Sequence, residues 1–262
     1  MTATGTFTPR PGAAPLPKMI RAQTALETRM LLRNGEQLLL TVVIPTLLLV
    51  LFSAVDIVSV PTGTAGGKGA AVDFMAPGIL ALAVMSTAFT GQAIATGFER
   101  RYGVLKRLGA SPLPRWALMT AKTCSVLVTE VLQIALLTAV ALALGWSPHG
   151  SPASVAALLL LGTAAFSGLG LLMAGTLKAE VTLAAANLVF LLLLVGGGVV
   201  VPLEKFPHAA QQVLQFLPIA ALSDGLRDVL QHGAGRPWGD LGTLAVWAVL
   251  GLGAAAKWFR WE

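Results

Sequence analysis

Glu99-Arg100-Arg101-Tyr102-Gly103-Val104-Leu105-Lys106-Arg107-Leu108-Gly109-Ala110-Ser111-Pro112-Leu113-Pro114-Arg115 is the stretch on which the fold turns. It holds five basic residues in a chain that is only 11% charged, and long apolar runs flank it on both sides. A soluble domain carries about 25% charged residues. A chain that is 55% hydrophobic with so few charges cannot clothe a globular surface, so it reads as an integral membrane protein. The net charge of +6 would suggest nucleic acid in a soluble protein. Here the basic residues gather at the ends of apolar runs, a pattern that sets topology and leaves no nucleic-acid partner.

A helix needs about 20 mostly apolar residues to cross a bilayer. Working outward from the loop at 99–115, the gaps between charges and turn signals place spans at about 38–55, 74–98, 116–145, 153–177, 181–201 and 241–257. The expected fold is therefore an all-α integral membrane protein with six transmembrane helices. Pro45 is placed to kink the first. Lys and Arg fall 13 to 4 in favour of the side carrying the loop, with Lys122 inside span three left out of the count. That bias puts both termini in the cytoplasm of a multi-pass protein of the cell membrane.

Three segments are not spans. Residues 1–18 are rich in Thr, Pro, Ala and Gly, lack an apolar core, and read as a disordered cytoplasmic tail rather than a signal peptide. Residues 19–37 set Ile20, Leu26, Met30 and Leu31 on one stripe, with Arg21, Glu27, Arg29 and Arg33 filling much of the rest. This predicts an amphipathic helix lying on the cytoplasmic membrane surface, with a charged extension of span one as the other reading. Residues 202–237 predict two short helices, opened by Pro207 and Pro218. Apolar residues such as Val213, Leu222 and Leu226 would not stay in water, while Glu204, Asp224, Arg227 and Asp228 make a full crossing costly. An external re-entrant helical hairpin meets both constraints.

Catalytic motifs are missing. The three histidines, His149, His208 and His232, fall in or near external segments, and no spacing suits a metal. Gly63-Thr64-Ala65-Gly66-Gly67-Lys68-Gly69 imitates a phosphate loop but has Thr62 where a Gly is required and Gly69 where a Ser or Thr is required. Cys124 sits in an apolar segment and reads as a buried thiol. Glu130, with Gln133 close to one turn on, is the intramembrane ionisable group. It is either a substrate- or proton-contacting residue or a carboxyl bonded to a neighbour, with Lys122 and Asn187 as the partners considered. Gln92 and Asn187 are also polar within spans, suited to lining a path or to bonding between helices. In the loop, Val104, Leu105 and Leu108 share a face on a short helix, and a docking surface for a soluble partner accounts for them better than a bare solvated loop.

At this loop the chain resembles the permeases of type-2 ATP-binding-cassette (ABC) exporters, the group that includes daunorubicin-type multidrug efflux permeases. The matching residues are Glu99, Arg100, Gly103, Leu105, Leu108, Ser111, Pro112 and Arg115, and then Pro202, Leu203, Phe206, Pro207, Pro218 and Arg227. The resemblance implies a permease subunit, without an ATPase site of its own, that exports hydrophobic drug-like or lipid-like substrates and supports antibiotic resistance. ATP and Mg would be bound by a separate ABC ATPase, present in two copies, and a second permease copy or a related permease would complete a dimer in membrane lipid. It also implies that the 99–115 loop is a coupling element, with Glu99, Arg100, Arg101, Gly103, Leu105, Leu108, Arg115, Arg29 and Arg33 as coupling residues. The hairpin with Pro207, Pro218 and Arg227 would cap a path along spans one, two and five, with Met85, Phe89, Gln92, Asn187, Phe190 and Leu194 as path candidates. The connection Lys178-Ala179-Glu180 is short for a second coupling contact. Export of lipid-linked polysaccharide or lipid, and a non-transporting membrane biogenesis or assembly role, are the competing readings.

Overall fold

The computed structural model describes residues 12, 14–35, 39–54, 70–199, 206–233 and 235–260. The Gly-rich loop at 63–69 and the Pro202, Leu203 and Glu204 positions lie outside these residues, as does most of the tail expected over 1–18. The regular structure among the described residues is all helical. α1 runs Leu16–Arg33, three residues ahead of its expected start, with Pro15 at its N-cap and Arg33 in its last turn. α2 is Ile44–Ala54, entered through a π-helical turn Leu39–Val43. α3 (Ala70–Val84) passes through a π-helical stretch, Met85–Gly91, into α4 (Gln92–Arg101). The short α5 (Val104–Gly109) follows, then α6 (Arg115–Ala143), α7 (Pro152–Thr176) and α8 (Ala179–Gly196). α9 (His208–Leu214), α10 (Pro218–Leu230) and α11 (Trp238–Trp258) complete the chain.

Five helices are long and apolar enough to cross a membrane: Ala71–Arg101, Arg115–Ala143, Pro152–Thr176, Ala179–Gly196 and Trp238–Trp258. Six spans were expected. The first, at 38–55, appears only as the shorter apolar helix Thr41–Leu51, with residues 36–38 and 55–69 outside the described set. Local signals explain the ends of the others. Pro152 opens α7 in the first-turn position where its missing N–H costs nothing. Gly145, at φ 95°, follows the C-cap of α6 in the left-handed conformation that stops a helix.

The rod α3–α4 is the centre of the bundle, with 83% of its most apolar window buried. It is apolar nearly all round, and Ala81, Ala83, Val84, Met85, Ala88 and Ala93 are fully enclosed. α7 and α11 cross so closely that a Cβ on Gly168 would stand 2.5 Å from the Leu252 backbone nitrogen. In a bilayer, lipid tails are as apolar as leucine, so such backbone-to-backbone packing is what holds helices together. α8 lies at the flank, with only 17% of its window buried. α9 and α10 begin at the two prolines, as expected, and α10 packs almost entirely inside the bundle, with Ile219, Ala220, Leu222 and Leu226 buried.

Candidate functional site

The loop end of the bundle is built on three consecutive residues in the last turn of α4. Successive helical residues point about 100° apart, so Glu99, Arg100 and Arg101 reach three different neighbours. Glu99 Oε2 accepts a hydrogen bond from Lys122 Nζ of α6 at 2.6 Å, and the same ammonium donates to Glu27 Oε2 of α1 at 3.0 Å. Gln23 Nε2 donates to the other Glu27 oxygen at 2.8 Å. Lys122 is only 4% exposed and Glu27 only 7%. Arg100 donates to the carbonyls of Ala174 and Leu177, both at 2.8 Å. Those carbonyls end α7 and lack helical partners, so a cation is well placed there. Arg101 pairs with Glu180 in the first turn of α8, at the surface. One turn of α4 therefore holds α1, α6, α7 and α8 together.

Gly103, at φ 71°, makes the left-handed corner from α4 into α5. The apolar face of α5 does not wait for a partner. Leu105 is fully buried with Leu118, Met119, Leu171, Ala255 and Phe259, and Leu108 and Leu113 pack on the same cluster. This corrects the expectation of an apolar docking face: burying those side chains within the chain itself is what anchors the loop. The outward edge is instead aromatic and basic, with Tyr102, Lys106, Arg107, Arg115 and Trp116 exposed. Arg29 and Arg33 are exposed on α1. On α1 the buried side carries Glu27, while Leu26 and Met30 of the expected apolar stripe are each 50% exposed.

A groove of about 680 Å³ lies between α2, the α3–α4 rod and α8. Asn187, Phe190 and Leu194 line it, as do Leu82, Ser86, Thr90, Ile94 and Phe98, which repeat every fourth residue. Met85 and Phe89, put forward with them, point the other way into the packed core and are 0% and 2% exposed. Two small hydroxyls, Ser86 and Thr90, lie on the groove face, while Thr87 between them turns inward to Gln133. The π-helical stretch covers both, and such irregularities are frequent at functional sites. Gln92 faces a second, smaller chamber of about 130 Å³ beside Lys122, Glu99 and Glu27.

Glu130 bonds to neither Lys122 nor Asn187. Its Oε2 accepts from Thr163 Oγ1 of α7 at 2.5 Å. Asn187 Nδ2 donates to Leu183 of its own helix. Gln133 Oε1 accepts from Thr87 at 2.9 Å, and its amide donates to the Thr41 carbonyl. Glu130 and Gln133 thus act between helices, while Asn187 bonds within its own. At the opposite end, Arg227 donates to Asp224 at 3.1 Å and to the Val199 carbonyl at 2.9 Å, and lies 4.5 Å over the Phe74 ring. Burial pushes the Asp224 carboxyl up and the Arg227 guanidinium down, and their mutual attraction opposes both shifts. Pro207 caps α9 and Pro218 opens α10 beside this clamp.

Five helices long and apolar enough to cross a membrane, with a charged corner at one end and an open groove along the central rod, define a multi-pass membrane protein. The family model described as ABC-2 family transporter protein matches residues 18–257, so the chain belongs to that family. Membership makes it the membrane component, a permease subunit, of an ABC transporter and implies partnership with an ABC ATPase subunit. No curated protein is similar enough to match.

Proposed function

We propose that this chain is the permease subunit of an exporter, moving hydrophobic drug-like or lipid-like molecules outward along the groove between α2, the α3–α4 rod and α8. The observation that carries the reading is the turn of α4 that ties α1, α6, α7 and α8 to α5. A push on α5 reaches the Leu105 cluster and that turn together. The groove wall belongs to the same rod, so movement at the loop end changes the groove. In this reading the loop end is cytoplasmic, in accord with the bias of Lys and Arg. Both termini are then cytoplasmic, and α9–α10 cap the outer end of the path. Two permease copies stand side by side with two ATPase copies, which bind the ATP and Mg that this chain does not. The ATPase meets the exposed edge around Tyr102, Arg107 and Trp116. Glu99 and Arg100 face inward and act as the linkage rather than as the contact.

The test is reconstitution with the partner ATPase in vesicles, following a hydrophobic dye. ATP-dependent dye movement is expected. Arg107→Glu, an exposed change with stability effects within about 0.5 kcal/mol, weakens ATPase binding and transport together. Dye movement that ignores ATP, or full ATPase binding by that variant, contradicts the reading.

A further inference from the structure

A small chamber lies at the loop end between α1, the α3–α4 rod and α6. It holds about 130 Å³ and is lined by Glu27, Thr87, Gln92, Thr96, Glu99 and Lys122, among others. Gln92 is 5% exposed, yet neither its amide nitrogen nor its amide oxygen has a partner among the described residues. A buried amide with both ends unmet points to something polar that occupies the space. The charges say which sign. Glu27 and Glu99 supply two carboxylates against the one ammonium of Lys122, leaving one formal negative charge unmatched. The cations that follow Glu27 on α1, Arg29 and Arg33, are exposed and line a surface groove that meets the chamber at Met30 and Asn34, but neither lines the chamber itself. An anion is therefore disfavoured in the chamber and a cation is favoured.

Size and continuity say what kind of cation. At about 130 Å³ against about 680 Å³ for the groove, the chamber suits a compact head and the groove a larger body. Asn34 and Ala95 line both the chamber and the larger groove, so the two spaces adjoin. The groove is apolar, with Phe98 and Phe190 in its wall. We propose that the chamber seats the ammonium head of an amphipathic organic amine whose apolar body lies in the groove, an assignment that rests on the groove being the path. The head donates charge-assisted hydrogen bonds to Glu99 or Glu27 and a further one to the amide oxygen of Gln92. Lys122, which also lines the chamber, holds one oxygen of each carboxylate.

The experiment uses the full chain in lipid nanodiscs without ATPase, and three fluorescent probes that share a naphthyl-hexyl body. One ends in a primary amine, one in its N-acetyl amide and one in a carboxylate, with binding to empty nanodiscs subtracted. The amine is expected to bind about tenfold more tightly than the amide, with the carboxylate weakest. Gln92→Leu, which removes no bond that holds the fold together, is expected to weaken amine binding a few-fold through the lost hydrogen bond, while Glu27 and Glu99 keep the rest of the preference. Ala95→Trp, at the junction of the two spaces, is expected to erase most of that preference by closing the passage, and an unchanged melting temperature for either variant shows that folding is intact. Equal binding of all three probes, or an amine preference untouched by both variants, overturns the proposal and leaves the chamber to water. ATP-driven transport with the partner ATPase keeps the two readings apart. Export of the amide without any amine preference sinks this inference alone. An amine preference without ATP-driven movement of any probe upholds the site and sinks the export reading.

Discussion

The α7–α11 crossing and the α2–α8 flank are made of similar apolar residues, yet they are built oppositely. At the crossing, Gly168 brings α7 within backbone contact of Gly251 and Leu252, and no side chain fits between. At the flank, α8 touches the rod where Thr182 meets Gly97, but it is mostly unburied and a groove of about 680 Å³ opens between it, α2 and the rod. Closely interdigitated surfaces transmit motion as a unit, while an open seam allows parts to separate. The difference divides the molecule into a rigid block, α7 with α10 and α11, and a flank free to rearrange. The turn at Glu99, Arg100 and Arg101 joins the two.

The largest effect is expected at the block. Gly168→Leu forces a side chain into backbone and should cost more than about 5 kcal/mol, read as loss of monodisperse protein or a large fall in melting temperature. If the variant folds normally, the crossing is not the rigid element. Next comes the joint. Lys122→Met leaves Glu27 and Glu99 buried without their cation and should cost about 3–5 kcal/mol. Adding Glu27→Gln and Glu99→Gln should recover most of that loss in the same denaturation experiment, which sharpens the assignment to charge rather than packing. The smallest effect is at the helix end. Arg100→Ala removes two hydrogen bonds to the α7 terminus and should cost about 1 kcal/mol, because the guanidinium is partly exposed and water replaces it.

Much of this architecture was visible in the residue order. Span length is a direct signal, since a bilayer demands a long apolar run, and α6, α7 and α11 lie within a few residues of their expected limits. The prolines at 207 and 218 marked the starts of α9 and α10 correctly. Facing was harder to read. In a membrane both the lipid side and the core side of a helix are apolar, so large apolar residues such as Met85 and Phe89 do not say which side they face. The partner of Lys122 was hidden for another reason. Its two carboxylates come from α1 and α4, and only the tertiary fold brings those helices to one point. Leu105 and Leu108 taught the converse: an apolar face on a loop helix was real, but the chain covers it itself.

The flank is expected to move against the block when the ATPase works. Spin labels on outward-facing positions measure it directly, with one pair at Val195 of α8 and Val249 of α11, and a second at Leu160 of α7 and Val249. With the partner ATPase bound and ATP added, the α8–α11 distance is predicted to shift while the α7–α11 distance stays fixed. A shift in the α7–α11 pair, or no shift in either, would contradict the account.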